Sequence, residues 1–123
     1  MSDTPTIKGY TPATVNIEWK RGTTLSFYQK FFQDEAKTVP LDISGSTFKM
    51  DVVNPKTGKI ILQFATGGSG LTIQNTNELH FAKTKDQMKV APGIYEYDLD
   101  KIDGAVVATI QDGEFTIFEE RTK

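Results

Sequence analysis

Cysteine is absent from the 123-residue chain. That excludes a disulfide framework, a thiolate nucleophile and cysteine-bound zinc, and it fits synthesis in a reducing cytoplasm. A marked excess of one charge is absent too: 14 basic and 16 acidic side chains leave a net charge of −2. Such a balance lacks the basic footprint that neutralising nucleic-acid phosphates requires. Apolar runs are only a few residues long, well short of a membrane span. The opening MSDTPTIKGYTP has neither the basic start nor the apolar stretch of a signal peptide. Repeats and low-complexity segments are also missing.

Apolar residues make up 37% of the chain and aromatics 11%, enough for one two-layer core at this length. Residues 1–12, with two prolines and a glycine, read as a flexible N-terminal arm, and residues 13–123 as a single domain. Within the domain, short alternating runs are separated by turn residues. In TVNIEW, Val15, Ile17 and Trp19 share one side; in STFKMDVV, Phe48, Met50 and Val52 do; in IILQF, Ile60, Leu62 and Phe64 do. A period of two is what a half-buried strand needs. NPKTGK, GGSG and Asn75-Thr76-Asn77 punctuate the runs as turns, and VPLDISG, ending at Gly45, reads as a shaped loop. TKDQM is the only candidate helical turn, with Thr84 and Gln87 spaced as a capping box. Asp103-Gly104 predicts a type I′ hairpin, and Asp112-Gly113 a second turn before the closing EFTIF strand. The expectation is all-β: an antiparallel sandwich of about eight strands with one short helical turn.

Two stretches carry a likeness. PLDISGSTFKMDVVNPKTGKIILQF (residues 40–64) and APGIYEYDLDKIDGAVVATIQDGEFTI (residues 91–117) resemble the small immunoglobulin-like modules of bacteriophage tails and baseplates. The N-terminal domain of baseplate upper proteins is one such module. In that group a Pro-Leu-Asp-Leu-Ser-Gly loop leads into a strand, matched here with Ile43 in place of Leu. An Ala-Gly-x-Tyr turn later opens a strand ending in Asp-Gly, matched through Pro92-Gly93-Ile94-Tyr95 and Asp103-Gly104, and a Phe-x-Ile strand closes the domain, matched by Phe115-Thr116-Ile117. The sequence departs from the group in a longer N-terminal arm and in lacking the long C-terminal extension that carries a host-binding region. The resemblance therefore implies attachment or packing and not receptor binding. Val90-Ala91-Pro92-Gly93 before Tyr95 is also similar to a tyrosine corner, in which the hydroxyl bonds back to the main chain.

Catalytic and ligand-binding constellations are not evident. Asp98, Asp100, Asp103 and Gly104 spell D-x-D-x-x-D-G, one residue too long for a calcium loop and without its closing glutamate. On a strand, Glu96, Asp98 and Asp100 line the solvent face at a spacing of about 7 Å and stay hydrated. His80 stands alone, on the face opposite Leu79 and Phe81. GGSG lacks the residues of a nucleophile elbow or a phosphate loop. Neither a metal nor a cofactor is expected. Trp19, Tyr28 and Tyr97 offer an aromatic platform for sugar, the basis of an alternative reading as a carbohydrate-binding module.

Several strands carry apolar groups on both faces, which leaves Tyr28, Phe32, Ile61, Val107 and Phe118 as a candidate interface. The expected function is a non-enzymatic virion part, synthesised in the bacterial host cytoplasm. It would bind other virion proteins and associate with itself, without nucleic acid or membrane.

Overall fold

A computed structural model describes residues 13–33 and 38–119 of the chain. The arm expected at 1–12 lies outside the described residues. Nine strands follow one another: β1 (Ala13–Thr14), β2 (Ile17–Lys20), β3 (Leu25–Lys30), β4 (Thr47–Val53), β5 (Ile60–Thr66), β6 (Gly70–Gln74), β7 (Glu78–Lys83), β8 (Gly93–Asp103) and β9 (Val106–Phe118). They join in one sheet in the order β1-β9-β8-β4-β5-β6-β7-β3, with β2 continuing β1 along β9. Because β1 and β2 lie end to end, eight positions make up the wall, and it curls until it is nearly a barrel.

The all-β expectation stands, but the sheet is neither divided in two nor purely antiparallel. Strands β1 and β2 both run parallel to β9, and β5 touches β6 in parallel over Ala65↔Gly70 and Thr66↔Leu71. Between β5 and β6 the chain reverses tightly. Ala65 and Ser69 exchange main-chain bonds of 2.9 and 3.2 Å around Gly67 and Gly68, whose φ values of 93° and 103° suit glycine alone. The chain thus turns a corner of the wall in four residues.

Inside lie Phe48, Phe64, Phe81, Tyr97 and Phe115 with Leu25, Ile43, Leu71, Leu79, Met88 and Leu99, all essentially without solvent contact. Phe81 organises this core: Phe27 stacks on it at 4.5 Å and Phe64 meets its edge at 6.2 Å. Offset and edge contacts of this kind add to what burial alone contributes.

Five local expectations need correction. The segment at 84–88 is a hydrogen-bonded turn and not a helix, and no helix occurs among the described residues. Thr84 and Gln87 do exchange side chain–backbone bonds of 2.9 and 3.2 Å, but residues 89–92 then run irregularly into β8 and no second turn follows. Ile60 is 46% exposed and Ile61 packs towards the core, because a bulge at Val52/Val53 shifts the register there and exchanges their faces. At the β8–β9 hairpin only Gly104 of the two central residues has positive φ, 62°, which is the type II′ pattern and not I′. Val15 does not share the core side with Ile17; it falls in the break between β1 and β2 and is exposed.

The fifth correction has the largest consequence. Asp112-Gly113 is no turn: β9 runs through it without interruption from Val106 to Phe118. Gly113 is there because the break at Val15 and Asn16 presses against it. A Cβ at this position would stand 2.3 Å from the Val15 carbonyl oxygen.

Candidate functional site

Three parts of the outer wall carry exposed chemistry. The first is the acidic face of β4, β8 and β9. Register sets Asp98 directly between Asp51 and Asp112, and Glu96 opposite Glu114. The outer acids have help: Lys49 stands 3.8 Å from Asp51, Gln63 donates to it at 2.9 Å, and the Thr14 hydroxyl donates to Asp112 at 3.2 Å. Partial burial raises the Asp98 carboxyl above its usual range, and the charges of Asp100, Asp112, Glu96 and Asp51 push it further the same way. Asp103, at the hairpin end, is held low instead by hydrogen bonds from Lys101 and Ser46. Among the described residues, no group of three or more acids or histidines could hold a metal ion.

A raised folded-state value means that the native protein binds the Asp98 proton more tightly than the unfolded chain does. Stability contributed by this group is therefore lost as pH rises through the carboxylate range and stays lost at neutrality. Asp98→Asn is expected to raise stability at pH 7 by about 0.5 kcal/mol, roughly 2 °C in Tm. The gain should vanish near pH 3, where Asp98 is protonated anyway, and shrink in 1 M salt. Thermal melts across pH decide it; a gain independent of pH would mean that repulsion is not its source.

The second part is the outer face of β3 and β7. Tyr28, 55% exposed, stacks on His80 with ring centres 4.2 Å apart. Ser26 Oγ lies 2.8 Å from His80 Nε2, with the proton's position depending on the tautomer. Sequence reasoning missed this pair because its members are 54 residues apart. Only the pairing Tyr28↔His80 and Ser26↔Ala82 brings them diagonally together. The aromatic trio does not share a surface. Tyr97 is buried, and its hydroxyl donates to the Val15 carbonyl at 2.6 Å. Trp19 packs against the core rim, 6.0 Å from Phe27, and its indole N–H donates to the Thr24 carbonyl.

The third part is an apolar string at the end of the wall where β8 begins. Exposed Ile60 is paired with Val53, Val53 lies diagonally from exposed Ile94, and Ile94 diagonally from Phe118. Diagonal neighbours on one face lie about 7–8 Å apart and touch through long side chains. Of the five interface candidates, Phe118 belongs to this string. Tyr28 is on β3, Val107 is at the far hairpin, Ile61 is turned towards the core, and Phe32 bridges Pro40 beyond β3. The turn candidates sit where the chain bends. Gly45 lies in a turn beside Ser44, whose N–H bonds the Asp42 side chain; Pro92 and Gly93 lead into β8; Asp103 and Gly104 form its end. The Tyr95 hydroxyl donates to the Ala91 carbonyl at 2.6 Å, and its ring is buried.

Against known proteins, no family model matches the chain and no curated protein does.

Proposed function

We propose that this chain is a non-enzymatic assembly module, working through protein–protein contacts as an immunoglobulin-like part of a bacteriophage tail or baseplate. The likeness of residues 40–64 and 91–117 to such modules supplies the setting. The observation that carries the reading is the apolar string Ile60–Val53–Ile94–Phe118, in which Ile94 is 60% and Phe118 47% exposed. Scattered single apolar side chains are ordinary on a surface, whereas a row running across four neighbouring strands marks a contact. Lys20 lies beside Phe118 and Glu96 beside Val53, so charged groups rim the row, as at the edge of a protein interface.

The test is the solution mass by light scattering over a wide concentration range. The parent chain should form a discrete oligomer, and Ile94→Lys with Phe118→Lys should weaken it by at least tenfold while leaving Tm within a few degrees. Both side chains are exposed, so the folded state loses little by the change. A parent that stays monomeric throughout, or a double variant that associates equally well, overturns self-assembly through this row.

A further inference from the structure

The wall stops short of closing between β2 and β3. Residues 21–24 join these strands, with Thr23 N–H bonded to the Lys20 carbonyl at 3.2 Å, yet among the described residues no ladder connects them. Between them runs a groove of about 340 Å³, bordered by Ile17, Glu18, Trp19, Phe27, Tyr28 and Gln29.

The direction of the main-chain groups that the described ladders leave over follows from the ladders on either side. Phe31 N–H bonds the Asn77 carbonyl in the register that pairs β3 with β7. In an antiparallel ladder bonded positions alternate, so β7 takes the main-chain groups of Leu25, Phe27 and Gln29. Those of Ser26 and Tyr28 point into the gap. On the other side, Val15 N–H bonds Asp112 and Arg21 N–H bonds Phe118, which assigns the odd residues of this edge to β9 and turns Glu18 towards the gap. Two strand edges thus face one groove whose floor is the Trp19–Phe27 contact. Open edges of this kind recruit an extended chain by adding it as a further strand.

We propose that this groove receives the N-terminal segment of a second copy of the chain, added as a strand along β3; the inference rests on the assembly reading above and names its contact. Three stretches of the sequence lie outside the described residues, and only residues 1–12 are long enough to match the six residues of β3. Within them Thr6–Thr11 is a run of six between Pro5 and Pro12, and every residue of it has an N–H to donate. It alternates Ile7, Gly9 and Thr11 with Thr6, Lys8 and Tyr10, so that, added as a strand, it would turn an apolar or small face to the groove floor and Lys8 to the side of Glu18.

The segment belongs to another copy and not to its own chain because of Thr11-Pro12. Entering its own groove, the chain would have to reverse within two residues before Ala13, where β1 begins. Two-residue hairpins favour the primed turns, whose positive φ proline cannot adopt, and a residue before proline is biased away from the helical φ/ψ that other short turns use.

Two variants test this. Removing residues 1–12 deletes the donor strand. Tyr28→Pro removes an N–H that points into the gap while sparing the β3–β7 ladder, a substitution that edge strands tolerate. Each should raise the concentration for half-association at least tenfold, and adding the synthetic peptide 1–12 to the truncated chain should shift Trp19 emission. Thermal melts check that both variants fold. Association unchanged in both variants, with Ile94→Lys still disrupting it, overturns this inference and leaves the assembly reading standing. A monomeric parent whose truncated form nevertheless binds the peptide overturns the exchange between copies, because the segment then fills its own groove.

Discussion

Alanine at position 113 should destabilise the barrel by about 3 kcal/mol, lowering Tm by roughly 10 °C. Gly113 has a φ of 154°, and an added Cβ would meet the Val15 carbonyl oxygen at 2.3 Å and its carbon at 2.9 Å. Both are main-chain atoms, so no side chain can swing aside. Relief requires β1 and β2 to move off β9. That movement strains three bonds at once: Val15 N–H to Asp112 at 2.8 Å, Glu114 N–H to the Asn16 side chain at 3.0 Å, and the Tyr97 hydroxyl to Val15. Each is worth about 1 kcal/mol, and the disfavoured φ adds about 1–3 kcal/mol, with incomplete additivity among neighbours. Gly104→Ala is the control. It also has positive φ, 62°, but a Cβ there meets nothing within 4 Å, so only strain of about 1 kcal/mol is expected. Equal losses at the two positions would show that conformation, and not the approach of Val15, sets the cost.

Gly113 also shows what the sequence could and could not reveal. Alternation placed Phe48, Met50 and Val52 on one side, and all three are buried; Tyr95, Tyr97 and Leu99, which alternate with the acids of β8, are buried too. Alternation likewise put Glu96, Asp98 and Asp100 outside; the first two are exposed, while Asp100, at the β8–β9 register shift, is half-buried. These readings needed only the two-residue period, which every half-buried strand obeys. Asp-Gly is a different matter, because two demands select the same residues: a hairpin wants glycine for positive φ, and a crowded strand wants it for the missing Cβ. At Gly104 the first demand operates and at Gly113 the second, and only the partner strand distinguishes them. That partner, Val15, lies 98 residues earlier. The Ile60/Ile61 exchange has the same origin, since a bulge is defined by two strands and leaves no mark in one. The surface was least legible. Ser26 with His80, and Ile94 with Phe118, become neighbours through register alone, and register is set by the whole wall.

The second large effect concerns the buried amide of Gln111 on β9, 2% exposed, which meets the amide of Gln29 on β3 across the interior. The two amides donate to each other, in the direction from Gln111 at 3.1 Å, and Gln111 also donates to the Tyr97 hydroxyl at 3.0 Å. The pair ties the edge strand β3 to β9 through the core. Gln111→Leu should cost about 2 kcal/mol, since it leaves the Gln29 amide unpaired in a half-buried site and takes a donor from Tyr97. Gln29→Leu should cost about 1 kcal/mol, because Gln111 retains Tyr97 and β3 lies nearer the solvent. The double change removes both amides together and puts apolar surface against apolar surface, so its total should fall below the sum of the singles by about 1.5 kcal/mol. Urea unfolding of the four proteins measures that coupling. Strict additivity would mean that the amides do not act as a pair, and the barrel would then depend on packing alone to hold its open side together.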